Sequence, residues 1–548
     1  MKIRHPHKQN GAFLVISAVV FIVLLGFAAL ALDLGRVFVQ QSEMQNAADA
    51  AARSGAWELD GEPDARKRAV IAAKDTLSHR GRFSRNPELL DQLVYKPGDP
   101  DTSPIVFYSW IGSAEDLEVD EPNEHCEQKL NGEWLPERAR CLSTDDRWAR
   151  YMEIWLDPAR AGNADAYTVD LLFLPALEVL GDEVARFATV SARAVAGRHF
   201  FACDYPPMML CNPLEGIGKN FSHAVAEGYI QVGDSVVLRQ ENVGGSHIWA
   251  PGNFGLLQIP NGKKGEVNKG SGGGGGNSNG GLRAVGEYIA DPKEKRDDCT
   301  TGWVGTRPGN PQSHPVWGWN TRFDYYKSFN AKDFSPAPNV IEYPQDIGSR
   351  YGNELFGNGD WDREGYWDTF HGYHEALQPL GWDSWTRYEV YQWELNSGLM
   401  PCDPNGPDGI RGTSDDIACP PGPISHYDLM SGRYSDPWST PEPDRRALYT
   451  DPADRSSGAN PIVEGLPNQE NISETRSMAD RRVIFVAIVD CTAQNLRGQR
   501  RVFADTFAKF FVLQAATQRG STADYVVEFM GLANEDDDEY FVEVQLYE

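Results

Sequence analysis

Between Ala12 and Leu32 the chain runs for 21 residues without a charged side chain, dominated by Phe, Leu, Val and Ile. A helix over this run is about 31 Å long at 1.5 Å per residue, which matches the hydrocarbon thickness of a bilayer. The run predicts one transmembrane helix over 12–32. Lys2, Arg4 and Lys8 precede it and Asp33 follows it, so the positive-inside rule holds residues 1–11 in the cytoplasm and exports everything after Asp33. Beyond the span, Leu34, Val37, Phe38, Met44, Ala47, Ala48, Ala51 and Ala52 recur at helical spacing. That amphipathic pattern extends the same helix to about Ser54, with 33–56 as an extracytoplasmic stalk. A cleavable signal peptide is the alternative, because Ala29 and Ala31 make an A-x-A-like site. The apolar run is longer than a signal core of about 7–15 residues and no turn residue follows it, so a retained anchor is the expectation.

The remaining chain is long enough for two or more packed units. Its 51 basic and 79 acidic side chains leave a formal charge of -28, which argues against nucleic acid as a partner. Pro63 followed by Ala69, Val70, Ala73 and Leu77 predicts a helix over about 64–79, and Ile105–Trp110, Tyr151–Leu156 and Phe187–Arg198 read as strands. These make 57–200 an α+β unit. From 201 to 480 the chain is loop-rich in Gly, Pro and aromatics, with a flexible tract at 265–281. Nine of the fifteen tryptophans lie from Trp303 to Trp438, enough to build a core of large aromatics where regular structure is sparse. Residues 481–548 read as a C-terminal strand-rich unit from Val483–Val489, Tyr525–Phe529 and Tyr540–Tyr547, while 502–514 fits helix or strand. The acidic run Glu535–Glu539 reads as a solvated loop. The fold class expected is α+β, with one transmembrane helix, a stalk, and a large exported unit carrying disulfides in its middle region.

Eight cysteines without a Cys-x-x-Cys suit disulfides in an oxidising compartment. Short separations favour Cys203–Cys211, Cys402–Cys419 and Cys126–Cys141, leaving Cys299 with Cys491. The common catalytic strings, G-x-S-x-G, the P-loop and H-E-x-x-H, are absent. His371, His374 and Glu375 form H-x-x-H-E, better read as structural than as metal ligands. Asp403, Asn405, Asp408, Asp415 and Asp416 alternate with glycine in an oxygen-rich loop. That composition suits either a calcium ion or an ordinary Asx-turn loop, so calcium is the single cofactor candidate. Ala31 and Gly35 form a small-x-x-x-small pair at the membrane boundary. Ala47, Ala48, Ala51 and Ala52 make a small-residue stripe that fits either a partner helix or the protein's own globular unit.

The string from Gly11 to Ala56 resembles the N-terminal module of the TadE/TadG-like proteins of tight-adherence (Flp) pilus assembly. The apolar helix, D-L-G-R at Asp33–Arg36 and Q-N-A-A-D-A-A-A at Gln45–Ala52 carry the likeness. CDYPPMMLCNPLE at Cys203–Glu215, GNGDWDREGYW at Gly357–Trp367, TRYEVYQWEL at Thr386–Leu395 and RRVIFVAIVDC at Arg481–Cys491 are similar to segments of the longer TadG-related members. Flp-type prepilins carry Glu five residues after their cleavage point; counted from Gly11, that place holds Ile16, which favours a permanently anchored member. The D-x-S-x-S metal string of von Willebrand type A domains, present in some longer relatives, is absent. The resemblance implies a non-enzymatic pilus-assembly component in the bacterial inner membrane, its bulk periplasmic or extracellular. Other assembly or pilin subunits would meet it through the N-terminal helix, within membrane lipid. An anchored adhesin or carbohydrate-binding protein is the alternative, and a secreted hydrolase the third reading.

Overall fold

A computed structural model describes residues 12–77, 93–112, 139–160, 167–175, 185–239, 249–259, 282–291, 299–307, 313–350, 355–372, 379–424, 462–472 and 481–547. Positions 144, 147, 301, 331–332, 407, 415, 418, 420–421, 463, 468–470, 500, 520–521, 535 and 538–539 inside those stretches are excepted. The tract at 265–281 and residues Cys126, His374, Glu375 and Asp415 lie outside the described residues. The chain divides into a unit of residues 1–199 with 543–548 and a unit of residues 200–542.

The first unit begins with α1, a single helix from Ala12 to Trp57. The absence of Pro throughout and of Gly except at 26, 35 and 55 lets the membrane and stalk halves run on without a break. The short helix α2 (Ala65–Thr76) lies beside the end of α1, buries Ala69 and Ala73, and is tied on by the Ser54 hydroxyl donating to the Ala72 carbonyl. Four strands, β1 (Ile105–Gly112), β2 (Ala139–Leu142), β3 (Tyr151–Leu156) and β6 (Ala192–Cys203), form an antiparallel sheet in the order β6-β3-β1-β2. A separate two-stranded hairpin comes between them, β4 (Thr168–Asp170) with β5 (Phe187–Thr189). The single strand expected over 187–198 is thus two strands on different sheets.

Period-two alternation sorts the side chains of this sheet. Ile105 and Phe107, Met152 and Ile154, and Ala194 and Ala196 face a cluster shared with Met44, Ala48, Ala51 and Ala52 of α1. Val106, Tyr108, Tyr151 and Val195 pack on the other face. Gly55 marks where helix and sheet come closest, since a Cβ there would lie 2.1 Å from Met152 Sδ. The C-terminal strand also returns to this unit, pairing with β6 and adding Val544 and Leu546 to the core.

The second unit is built on a nine-stranded sheet. Its strands are β7 (Met208–Cys211), β8 (Ser235–Arg239), β9 (Phe254–Leu257), β11 (Trp303–Arg307), β12 (Val483–Val489), β13 (Arg501–Phe503), β14 (Thr506–Val512), β15 (Thr517–Arg519) and β16 (Thr522–Leu532). They run in the order β13-β11-β9-β7-β12-β14-β16-β15, with β8 also on β16. The strands from 481 onward therefore form no unit of their own, because β12 pairs in parallel with β7 across 278 residues of chain. Residues 502–514 resolve into β13 and β14, whose side chains alternate between the two faces of the sheet. The two-residue strand β10 (Cys299–Thr300) pairs with the end of β6, and β17 (Tyr540–Tyr547) closes the chain.

Helices cover both faces of the large sheet. α3 (Phe221–Ala226), α4 (Leu282–Ala290) and α5 (His314–Asn320) place Phe221, Val285, Ile289, Val316 and Trp319 against Ile484, Val486, Phe510 and Phe529. On the opposite face α6 (Arg363–His371) and α7 (Arg387–Ser397) bring Tyr366, Val390, Tyr391 and Leu395 against Phe511 and Val526. The capping box of Thr386 and Glu389 starts α7, and Gly398 at φ +71° ends it. Of the nine tryptophans from 303 to 438, Trp319, Trp361 and Trp367 are buried and Trp303, Trp317, Trp382, Trp385 and Trp393 half-buried, while Trp438 lies outside the described residues.

Disulfide connectivity follows strand register rather than sequence proximity. Cys203 pairs with Cys299, its direct partner across β6 and β10, instead of with Cys211. Cys211 pairs with Cys491, because the parallel β7–β12 register sets Cys211 beside Val489, two residues away. Those bonds replace the expected Cys203–Cys211 and Cys299–Cys491. Cys402–Cys419 is formed as the spacing predicts.

Candidate functional site along the first helix

The two halves of α1 have different surroundings. From Phe13 to Leu25 the large apolar side chains are exposed on every side, which is the environment a membrane-spanning segment needs and a water-soluble helix does not tolerate. Among the described residues one helix is long and apolar enough to cross a membrane, and it is this one.

From Asp33 onward the helix is fastened to the first unit by polar side chains. The Asp33 carboxylate has no exposed surface and accepts three backbone N–H bonds, from Leu172 at 2.9 Å, Phe173 at 2.9 Å and Leu174 at 2.6 Å. A carboxylate presents two oxygens with several lone pairs, so it can gather three amides where a neutral side chain cannot. Burial opposes the charge, but the three amides and then the Arg36 guanidinium outweigh it and hold the Asp33 carboxyl below the ordinary aspartate range. Arg36 donates to the Asp170 carbonyl at 2.9 Å, Gln41 to Ser191 at 2.5 Å, and Gln45 to Arg193 at 2.8 Å. These acceptors are backbone carbonyls of β4, of the link from β5 to β6, and of β6, so the helix acts as an extra partner for that stretch of chain.

This arrangement decides the alanine stripe. Ala48, Ala51 and Ala52 have no exposed surface and Ala47 almost none; all four lie in the first unit's own core with Met44 and Ala56. They are not a surface for another chain, because their methyl groups are what lets β1, β3 and β6 approach the helix. Ala31 is exposed, and a Cβ built at Gly35 would meet nothing within 4 Å. Of the small residues singled out in the sequence, only that boundary pair remains open.

The other candidate groups are engaged in internal structure. Asp403 accepts from the Asn405 amide at 2.9 Å, Asp408 from Ile410 at 2.7 Å and Asp416 from Gly412 at 2.8 Å. The first two are Asx-turn contacts and the third closes the loop from the other side, and among the described residues no group of three His, Cys, Asp or Glu is close enough to hold a metal ion. His371 is buried, its Nε2 2.8 Å from Glu394 Oε1, which also accepts from Tyr366 at 2.7 Å. Asn339 and Tyr343 donate to Oε2 at 2.6 and 2.5 Å. Burial and the Glu394 charge push both tyrosine hydroxyls far up, so they stay donors. Arg482 lies at the same aromatic core and donates to the carbonyls of Asn339, Ile341, Val512 and Leu513. This set cross-links α6, α7 and the 339–343 segment without an opening to solvent at Glu394 or His371.

Sequence reasoning treated Asp33 as the end of the apolar run and missed its bond to the 172–174 strap. It also missed Gln41 and Gln45. The signal present was polarity, since Asp33, Arg36, Gln41 and Gln45 are polar residues spaced three to five apart along the helix that carries the alanine stripe.

The geometry defines a class: a chain led by an exposed apolar helix whose continuation is built into the core of its first unit. Residues 11–58 match the family of putative Flp pilus-assembly TadE/G-like proteins, and that match covers the helix from its apolar start to its last turn. Compared with curated proteins and with solved structures, the chain shows no significant match.

Proposed function

We propose that the chain is a membrane-anchored, non-enzymatic structural or assembly component of a tight-adherence, Flp-type pilus. Residues 1–11 stay in the cytoplasm, and the chain from Asp33 onward lies on the far side of the inner membrane. One observation carries the reading: the family-matched segment is a single helix, exposed along its apolar half and bolted into its own unit along its polar half. A helix held in that way transmits the position of the membrane directly to the first unit, which suits a platform or filament subunit. The enclosed Glu394 carboxylate supports a structural use of the second unit, because both of its oxygens are engaged by Asn339, Tyr343, Tyr366 and His371 and brace a core.

Other pilus subunits meet the protein through the exposed face at the membrane boundary, where Ala31 and Gly35 allow a partner helix close approach. The test is photo-crosslinking in intact cells from an amino acid carrying a benzophenone at position 31 or 35. Capture of Flp-machinery subunits is expected. Recovery of un-crosslinked chain alone, from cells that are assembling pili, overturns the proposed interface.

A further inference from the structure

The strap held by Asp33 places apolar side chains at the level where the membrane must end. Its backbone lies within hydrogen-bond distance of the first residue after the apolar run, so the strap is level with the end of the span. Leu172 is 61% exposed and Phe173 43%. Phe187, which faces Asp170 across the β4–β5 hairpin, is 54% exposed. Leu30, Leu32 and Leu34 are exposed on the helix at the same height. A cluster of this kind is out of place in water, yet suits the boundary between headgroups and acyl chains, where apolar side chains enter lipid while polar backbone stays hydrated. The bonds to Asp33 matter here because they satisfy three amides that an interfacial loop leaves without partners.

We infer that the Leu172–Leu174 strap, with Phe187, is a second membrane contact that inserts into the lipid interface beside the transmembrane helix. The inference rests on the anchored reading of residues 12–32, and its occupant is the bilayer. Two contacts at one depth fix the tilt of the first unit relative to the membrane, which one helix alone does not.

The test uses the full chain with its disulfides intact, reconstituted in phosphatidylcholine vesicles that carry a nitroxide at a shallow or a deep acyl position. An environment-sensitive fluorophore is attached at Phe173→Cys, and in a second variant at Leu172→Cys. Val20→Cys reports the middle of the span. Ile71→Cys, on the exposed side of α2, lies about 30 Å along the helix from Asp33 and serves as the aqueous reference. The labels at 172 and 173 are expected to emit to the blue of the Ile71 label and to be quenched several-fold more strongly by the shallow nitroxide. The Val20 label is expected to respond most to the deep nitroxide. Labels at 172 and 173 that behave like Ile71, with Val20 in lipid, overturn the interface contact and leave the anchor standing. A Val20 label that escapes both nitroxides removes the anchor itself, and the strap's contact with it.

Discussion

Replacing Ala48 and Ala51 with Leu separates a helix stripe that belongs to this chain's core from one offered to a neighbour. Each substitution adds three carbons at a position with no exposed surface, among Met44, Ile105, Met152 and Ile154. Over-packing a tight core costs about 1–3 kcal/mol per site. The two positions are one turn apart and share neighbours, so the double variant is expected to lose about 2–5 kcal/mol rather than a simple sum. Every 1.4 kcal/mol is a factor of ten in an opening equilibrium, so amide exchange in residues 44–57 and in β3 should accelerate by roughly 30-fold to several thousand-fold. The assay is hydrogen exchange with mass spectrometry on the full chain in detergent. Ala31→Leu and Gly35→Ala are the controls, since both sites are open and neither change should speed exchange. Unchanged exchange in the double variant, together with loss of cross-linking to a second chain, refutes the assignment of the stripe to the core.

Asp33→Asn keeps the size of the side chain but removes the charge and one acceptor. Exchange at the Leu172–Leu174 amides should rise at least about tenfold, given roughly 1.5–3 kcal/mol for a hydrogen bond to a charged group. Because the folded carboxyl titrates below its ordinary value, strap attachment is complete above the unfolded pKa and fades as pH falls through the lower folded one. His199 is held down at about 4, by burial first and then by Arg150, so the unfolded chain binds its proton before the folded one does. Stability of the first unit should therefore fall as pH drops from about 6.5 towards 4, by at most about 1.4 kcal/mol per pH unit, and His199→Gln should flatten that slope in pH-dependent melting. The Cys211–Cys491 bond closes a separation of 280 residues and Cys402–Cys419 one of 17. On chain-entropy grounds, replacing the first pair with Ser should cost about 5 kcal/mol and the second about 3, read from denaturant unfolding of the second unit.

Much of the first unit was legible because its signals are local. An uninterrupted apolar run followed by helical spacing specifies α1, and Tyr151–Leu156 specifies β3 to the residue. The direction in which the alanine stripe faces was not legible, since small side chains at helical spacing suit a sheet and a partner helix equally. The expected Cys203–Cys211 and Cys299–Cys491 pairings failed for a related reason, while Cys402–Cys419 formed. Cys203 and Cys211 are close in sequence, but their partners are set by the β6–β10 and β7–β12 registers, which depend on chain segments 96 and 280 residues away. The Asp33 strap was hidden because an acid after an apolar run already has a sufficient explanation as the end of a membrane span. Arg482, Glu394 and Arg387 are charged residues in the core, and only their partners in three dimensions show that they belong there.

Whether the chain serves pilus assembly from a membrane anchor, as proposed, is decided by complementation in the producing cell. The gene is deleted, then restored either in full or with residues 1–32 replaced by a cleavable secretion signal, and surface Flp-type pili are counted by electron microscopy. Deletion should abolish the pili, the full chain should restore them, and the unanchored chain, exported in equal amount, should not. Normal piliation in the deletion strain rules out a role in pilus assembly, and full rescue by the unanchored chain rules out the need for the anchor.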